Sequence, residues 1–154
     1  MSADIQIRDA RPGDLETIVE FNARLAQETE SKTLDRAILT PGVAAALADR
    51  AKARYFVAEC EGRVVGQLMV TYEWSDWRNG NIWWLQSVYV EQSFRRAGVF
   101  KKLMEHVGEV QAADPEAIGL RLYVDDENVA AQETYVRLGF ERGHYRVMER
   151  LIER

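Results

Sequence analysis

The sequence predicts an α/β (α+β) fold with a mixed central sheet of six to seven strands and helices on both faces. Two observations predict it. Extended and helical hydrophobic patterns follow one another along the chain in the order β-α-α-β-β-β-α-β-α-β. The fourth extended pattern, over 82–90, has apolar side chains at both odd and even positions, which is typical of a central strand covered on both faces.

Length, charge and composition restrict the class of protein. The chain has 154 residues, close to the usual size of about 150 residues for one domain, and we expect a single domain over 1–154. Its net charge of −5 argues against a nucleic-acid partner, because phosphate binding requires a positive surface. Cys60 is the only cysteine and the chain has two histidines, so we expect no metal site.

Hydropathy along the chain bears on location. The apolar runs are much shorter than the about 20 residues of a membrane-spanning helix. The N-terminus, over 1–14, carries charges where a signal peptide has an apolar stretch. We therefore expect a cytoplasmic protein with no membrane partner.

The first third of the chain predicts one strand and two helices. Apolar and polar residues alternate over 4–9, which is typical of a half-buried strand. Asp14 is a candidate N-cap for the helix that follows, and a polar loop over 28–36 comes after that helix. The second helix is expected to open at Thr40-Pro41, because proline is tolerated at the first helical position.

The middle of the chain predicts three strands joined by tight turns. Glu61-Gly62 separates the first two strands, and Asn79-Gly80, a dipeptide that favours hairpins, precedes the third. These strands are expected over 55–60, 64–74 and 82–90.

The last third predicts two helices, each followed by extended chain. Val99 begins the first helix, where apolar residues follow helical spacing. Asp126 or Asn128 caps the second, and Gly139 ends it. The strands are expected over 119–124 and, as one strand or a pair, over 140–152.

The turn that precedes the helix at Val99 has the features of an anion site. The first N–H groups of a helix point outward without partners, and the helix dipole adds positive charge there. Arg95, Arg96 and Lys101 add formal charge, and Gly98 lets the backbone approach a phosphate without a Cβ in the way. A solvated turn with a few arginines is the alternative.

A second motif lies on the helix after residue 128. Asn128, Ala131 and Tyr135 stand at i, i+3 and i+7, which puts them on one helical face. An amide, a small side chain and a hydroxyl on one face are able to line a groove. The alternative is that Ala131 and Tyr135 are core residues and Asn128 is a cap.

Together these two segments resemble the GCN5-related N-acetyltransferase (GNAT) superfamily, and the resemblance covers nearly the whole chain. The family's acyl-CoA loop follows the pattern Q/R-x-x-G-x-G/A, whose first and fourth positions match Arg95 and Gly98. The later family pattern runs from N-x-x-A-x-x-x-Y to x-x-G-F. The residues that match it are Asn128, Ala131, Tyr135, Gly139 and Phe140.

The resemblance implies an enzyme that moves an acetyl group from acetyl-CoA to an amine of a small molecule or protein by direct attack. The strand ending at Val90 would part from the strand at 119–124, so that its backbone pairs with the pantetheine arm. N–H groups of the turn would hold the pyrophosphate, and Tyr135 would protonate the leaving thiolate. The cofactor contacts implied are Val88, Tyr89, Val90, Arg95, Arg96, Ala97, Gly98, Val99, Phe100, Lys101, Asn128, Ala131 and Tyr135.

Phe100 departs from the family loop, which ends in a small residue. A bulky side chain there would crowd the phosphates if it pointed at them. We expect it instead to turn into the core as the first apolar contact of its helix, in a stripe with Leu103, Met104 and Val107.

The proton of the acceptor amine needs a base, and the strand over 82–90 contains no carboxylate. Glu73, at the end of the preceding strand, is the first candidate, with a solvent-facing strand end as the alternative. On the substrate side we place Trp84, Gln86, which can orient a water, and Glu28, which can attract a cation.

All four tryptophans lie between 74 and 84. They are consistent with a hairpin core, with an aromatic wall for a cationic substrate, or with the surface of a homodimer. Two other functions therefore remain open: a non-catalytic acyl-CoA-binding or sensor domain, and an interaction module that uses this Trp-rich hairpin.

Overall fold

A computed structural model describes residues 4–154 of the protein. Short 3-10 turns at Pro12–Asp14 and Gln92–Phe94 precede two of the helices. In chain order the main elements are β1 (Ile5–Asp9), α1 (Leu15–Glu30), α2 (Arg36–Ala48), β2 (Arg54–Cys60), β3 (Arg63–Ser75), β4 (Gly80–Val90), α3 (Val99–Ala112), β5 (Ala117–Leu122) and α4 (Val129–Arg137).

The chain divides into two compact units, one ending at Leu122 and one beginning at Tyr123. The first unit holds the five strands and helices α1 to α3, and the second holds α4. The single domain expected over 1–154 stays a prediction. Among residues 4–154, no helix combines the length and the apolar character that a membrane span requires.

The five strands form one sheet in the order β1-β2-β3-β4-β5. Neighbours from β1 to β4 are antiparallel, whereas β5 runs parallel to β4, so the sheet is mixed as predicted. Glu61 and Gly62 join β2 to β3 with φ angles of 52° and 77°, the left-handed pair that suits a two-residue hairpin turn. Asn79, with φ of 50°, ends the turn between β3 and β4.

Apolar side chains pack on both faces of this sheet. Residues of β2 alternate between the faces: Phe56 lies in the core with Leu103 of α3, and Val57 lies in the core with Ile18 of α1 and Val43 of α2. Helix α3 therefore covers one face, and helices α1 and α2 cover the other. This arrangement confirms the expectation of helices on both faces.

The edge strand β1 is fastened by ion pairs. Arg8 donates to both carboxylate oxygens of Asp14, at 2.8 and 3.0 Å, and to Glu59 at 2.7 Å. Arg54 donates to both oxygens of Asp9, at 2.7 and 3.1 Å. The Asp14 side chain thus ties β1 to the start of α1, and it makes no cap hydrogen bond to that helix.

Helix α2 begins earlier than predicted. Its N-cap is Asp35, whose carboxylate accepts a hydrogen bond from the N–H of Ala37 at 2.9 Å. Pro41 therefore lies inside the helix and not at its first position. The earlier start is favoured because the Asp35 side chain satisfies one of the unpaired N–H groups at the start of the helix. Asp35 lies in the polar stretch over 28–36, which predicted a loop.

The sheet has five strands among the described residues, where six to seven were predicted. Residues 140–154 have no regular secondary structure, so the strand or pair of strands expected over 140–152 is not found. The apolar side chains of this segment do not alternate, and a strand with one buried face requires alternation. Those side chains are Tyr145, Val147, Met148, Leu151 and Ile152.

Candidate functional site

Within the first unit, strand β4 extends beyond its pairing with β5. Their parallel pairing runs from Asn81 opposite Ala117 to Leu85 opposite Leu122. Strand β4 then continues to Val90 with β3 alone as its partner in this unit. The pairing ends where β5 ends, at Leu122, which is the last residue of the first unit, so the expected parting of the two strands stays a prediction. Within the first unit, the edge of β4 beyond Leu85 offers backbone N–H and C=O groups.

A bulge lies in the part of β4 beyond the last pair with β5. Gln86 pairs with Met69 and Tyr89 pairs with Gln67, so two residues of β4 stand opposite one residue of β3. Ser87 occupies the bulge with φ of 52°, a left-handed conformation that is uncommon outside glycine, asparagine and aspartate.

The turn after β4 leads directly into the N-terminus of α3. Arg96 and Gly98 have φ angles of 69° and 81°, and the N–H of Lys102 donates to the carbonyl of Gly98 at 3.1 Å. The N–H groups of Val99 and Lys101 thus have no acceptor within the helix. This is the geometry of an anion site at a helix start.

The positive φ angle at position 98 requires glycine, and the space beside its Cα is open. A Cβ at this position would meet no atom within 4 Å, but φ of 81° is unfavourable for any residue with a Cβ. The side chains of Arg96 and Lys101 are exposed beside it. The turn is therefore open and positively charged.

A second glycine, Gly66 on β3, seats the start of α3. A Cβ built on Gly66 would lie 2.8 Å from Cγ1 of Val99 and 3.4 Å from the carbonyl oxygen of Tyr89. A side chain there would force the Val99 side chain, or the helix that carries it, to shift. The role of Gly66 could not be predicted, because nothing along the chain indicates which strand lies beneath Val99.

Phe100 is not the first core contact of α3. Val99 is 1% exposed, and the buried residues of the helix are Val99, Leu103 and Val107. Phe100 is half-buried. The expectation of an apolar stripe led by Phe100 is wrong by one residue, because the turn delivers the chain to the sheet at Val99, above Gly66.

The side chain of Arg95 binds other residues of the protein. Its guanidinium donates to Glu28 at 2.7 Å and to the carbonyl of Val90 at 2.9 Å, and it stacks over the Tyr89 ring at 5.3 Å. The second oxygen of Glu28 accepts from the Tyr89 hydroxyl at 2.6 Å. These bonds from Tyr89 and Arg95 hold the pKa of Glu28 below its usual range.

Glu28 therefore anchors the turn to helix α1, and both of its oxygens are engaged. A pocket of about 530 Å³ opens beside it, between α1 and the end of β4. The pocket is lined by Arg24, Glu28, Tyr89, Glu91, Gln92 and Ser93.

Glu73, Trp84 and Gln86 meet on one face of the sheet. The carboxylate of Glu73 accepts from Nε1 of Trp84 at 3.0 Å and from Arg121 at 3.1 Å. Gln86 donates to the hydroxyl of Thr71 at 2.6 Å. Arg121 carries no signal in the sequence, since its place beside Trp84 follows from the parallel register of β4 and β5.

Asn128, Ala131 and Tyr135 belong to the second unit. Asn128 caps α4, since its side-chain oxygen accepts from the N–H of Ala131 at 3.1 Å. Tyr135 is half-buried, with its ring edge-on to Phe140 at 5.6 Å. Burial raises the pKa of Tyr135, so its hydroxyl holds its proton at neutral pH.

The tryptophans divide between the core and the surface. Trp83 is 2% exposed in the core, whereas Trp74 and Trp77 are 53% and 93% exposed. Trp84 lies between these extremes. The hairpin core accounts for one tryptophan, and two remain on the surface.

Comparison with known proteins identifies the family. The family model described as an acetyltransferase (GNAT) domain matches residues 51–142. The chain belongs to the GNAT acetyltransferase family. It is therefore an acetyltransferase, and members of this family use acetyl-CoA.

Two mammalian GNAT relatives carry the same description, thialysine N-ε-acetyltransferase. The pig protein is 30% identical over 149 residues, which covers 89% of this chain and 84% of that protein. The bovine protein is 37% identical over 76 residues, which covers 49% of this chain and 44% of that protein. The second match thus spans less than half of the bovine protein.

Two solved GNAT structures are also similar. A possible acetyltransferase from Clostridium difficile 630 is 46% identical, with a TM-score of 0.92 over 97% of this chain and 99% of that one. A predicted acetyltransferase from Clostridium acetobutylicum, solved with acetyl-CoA, is 17% identical, with a TM-score of 0.77 over 96% of each chain. The second structure shares the fold.

The GNAT turn in this chain suits acetyl-CoA on its own geometry. The cofactor combines an amide-containing arm with a pyrophosphate. Within the first unit, the edge of β4 beyond Leu85 offers backbone groups to such an arm, and the open turn at Gly98 offers helix N–H groups and positive charge to the phosphates. The residues present therefore fit the group.

Proposed function

We propose that this protein transfers the acetyl group of acetyl-CoA to an aliphatic primary amine by direct attack. The observation that carries the proposal is the stretch of β4 beyond its pairing with β5 in the first unit, which runs into the open turn at Gly98. One continuous piece of chain thus supplies backbone groups for an arm and an anion site for its phosphates.

The cofactor is held along this piece of chain. Backbone groups from Val88 to Val90 take the pantetheine arm, and N–H groups from Arg96 to Lys101 take the pyrophosphate. In the second unit, Asn128 contacts the arm through the part of its amide that does not cap α4. Because Arg95 is engaged with Glu28, the positive charge for the phosphates comes from Arg96, Lys101 and the helix itself.

The transfer requires two proton movements. Bound acetyl-CoA supplies an acetyl group activated as a thioester. The bond between the amine nitrogen and the acetyl carbon forms as the carbon–sulfur bond breaks, the ammonium proton passes to a base, and the sulfur takes a proton from Tyr135. Burial raises the pKa of Tyr135, so its hydroxyl is neutral and is a weaker acid than an exposed tyrosine, and the transfer depends on a thiolate formed in direct contact with it.

Glu73 is the candidate base, with Gln86 orienting a water between it and the amine. The Glu73 carboxylate accepts bonds from Trp84 and Arg121, and it takes the proton when the acceptor ammonium replaces one of these donors. The Trp84 ring beside it favours a cation over its face.

The similarity to thialysine N-ε-acetyltransferases supports an acceptor with a terminal amine on a flexible aliphatic chain. The activity named for those relatives places the reacting nitrogen on a side chain of lysine-like length. We therefore propose lysine analogues and short diamines as the first acceptors to screen, with thiol release as the signal.

The test begins with calorimetric titration of the full chain with CoA and acetyl-CoA. We expect micromolar binding that Gly98→Asp weakens about tenfold or more, because the variant adds a negative charge and a Cβ where φ is 81°. Gly62→Asp is the matched control: Gly62 has φ of 77° and equally open surroundings, but it lies in the turn between β2 and β3.

Two results would decide against this function. Absence of binding at millimolar cofactor would remove the acetyl-CoA site. Equal affinity of the wild type and Gly98→Asp would place the phosphates away from this turn.

A further inference from the structure

Gln67 is a buried polar residue that the proposed function leaves unused. It lies on β3 in the run VVGQLMV and is fully buried. Its side-chain oxygen has no hydrogen-bond partner among the residues that the structure describes. An unsatisfied buried acceptor costs about 1–3 kcal/mol, so an apolar side chain of similar size would be more stable here.

The other end of the Gln67 amide makes one specific contact. Its Nε2 donates to the carbonyl oxygen of Ser87 at 3.1 Å. Ser87 is the bulge residue of β4, with φ of 52°, a conformation that costs about 1 kcal/mol or more for a residue with a Cβ. Two unfavourable features therefore meet at the peptide between Ser87 and Val88.

That contact sets the direction of the next backbone N–H. The described chain has no cis peptide bond, and a trans peptide directs its C=O and its N–H to opposite sides. With the Ser87 carbonyl turned to Gln67, the N–H of Val88 points away from Gln67. Val88 lies beyond Leu85, which is the last residue of β4 that pairs with β5.

We propose that Gln67 is a positioning residue that, through the Ser87 carbonyl, aims the Val88 N–H at the carbonyl oxygen of the acetyl group. The inference rests on the proposed function. Negative charge develops on that oxygen when the amine attacks, and a donor fixed in advance stabilises the charge without reorganisation. A glutamine that keeps its Nε2 donor at this position also keeps the unpaired Oε1, and the unpaired oxygen lowers the stability of the fold.

Gln67→Met tests this, because methionine has a similar shape and no donor. We expect kcat to fall about tenfold, less than the about hundredfold or more of removing a donor outright, with a much smaller change in KM for acetyl-CoA. The melting temperature should stay about level, since the loss of the unsatisfied side-chain oxygen offsets the loss of the hydrogen bond to the Ser87 carbonyl. A purely structural role predicts the reverse, a lower melting temperature with an unchanged kcat.

Ligand binding gives a readout that does not depend on turnover. CoA lacks the acetyl carbonyl, so the ratio of the affinities for acetyl-CoA and CoA isolates the proposed contact. We expect this ratio to fall about fivefold in Gln67→Met, with CoA affinity unchanged. An unchanged ratio together with a kcat within about twofold of wild type would overturn the inference, whereas a wild type that binds neither ligand would overturn the proposed function itself.

Gln67→Glu supplies a second variant if Gln67→Met does not fold. A buried carboxylic acid donates to the Ser87 carbonyl when protonated and repels it when ionised. We expect kcat in this variant to fall with rising pH through one ionisation that the wild type lacks. A pH profile parallel to that of the wild type would contradict the positioning role.

Discussion

Tyr135 and Glu28 show how local surroundings decide what a titratable side chain can do. Burial raises the pKa of Tyr135, which keeps a proton available on its hydroxyl. Hydrogen bonds from Tyr89 and Arg95 lower the pKa of Glu28, which keeps that carboxylate charged as the anchor of the turn. Tyr135 is therefore neutral and Glu28 is charged at neutral pH.

Replacement of Tyr135 by phenylalanine tests the donor. We expect kcat in thiol-release assays to fall about a hundredfold, the usual contribution of a general acid, while calorimetric affinity for acetyl-CoA stays the same. Tyr145→Phe is the matched control, since Tyr145 is 81% exposed and has no proposed role. An unaltered kcat in Tyr135→Phe would assign the proton to another group.

At the scale of elements, the start of α3 depends on what lies under it. The anion site consists of N–H groups whose position is that of the helix, and the helix rests through Val99 on Gly66 of β3. The turn is held from the other side by Arg95 and Glu28. A change in β3 is therefore transmitted to the phosphate site through packing alone.

Gly66→Ala should separate this packing from the ligand contacts. Its Cβ would stand 2.8 Å from the stiff Val99 side chain, and we expect a loss of about 1–3 kcal/mol in unfolding free energy from overpacking. The displaced helix should also raise KM for acetyl-CoA with little change in kcat. Chemical denaturation and steady-state kinetics measure the two effects.

Gly108→Ala is the control on the same helix. Gly108 is exposed and a Cβ there meets nothing within 4 Å, so the variant should gain up to about 1 kcal/mol from helix propensity with unchanged kinetics. Normal stability and KM in Gly66→Ala would mean that α3 adjusts without moving the N–H groups.

At the scale of the molecule, helices cover both faces of the sheet, but β1 lies at its edge and has a strand partner on one side. Ion pairs with neighbouring elements stabilise this edge strand. Arg54 lowers the pKa of Asp9. Burial acts to raise the pKa of Asp14, but hydrogen bonds from Arg8 and from the N–H of Arg11 bring it below its usual range. Both carboxylates are thus more stable as anions in the folded chain than in the unfolded chain.

These shifts predict acid sensitivity. A carboxylate with a lowered folded pKa contributes stability that is complete above its unfolded pKa of about 4 and is lost as the pH falls through the folded value. We expect the free energy of unfolding to be level above about pH 5 and to fall below about pH 4. Asp14→Asn should be less stable at neutral pH and show a shallower fall in acid, and equal slopes for variant and wild type would contradict the assignment.

Much of the fold and part of the candidate site follow from local pattern. Apolar spacing from Val99 to Val107 predicted α3, paired turn residues predicted both hairpins, and the motifs around Gly98 and Tyr135 indicated the family. The strand expected over 140–152 is not found, since its apolar side chains lack alternation. The contact between Arg95 and Glu28 and the burial of Val99 above Gly66 could not be predicted, because local spacing does not encode contacts between distant residues.

By itself the sequence determined what short-range chemistry controls: where helices and turns form, where positive charge gathers before α3, and which family the chain belongs to. The tertiary structure decided which distant residues meet. Glu28 reaches Arg95 across 67 positions and Gln67 reaches Ser87 across 20, because strand register and one bulge set those distances. A single inserted residue in β4 would change the partners while leaving every local motif intact, and for that reason these contacts cannot be read along the chain.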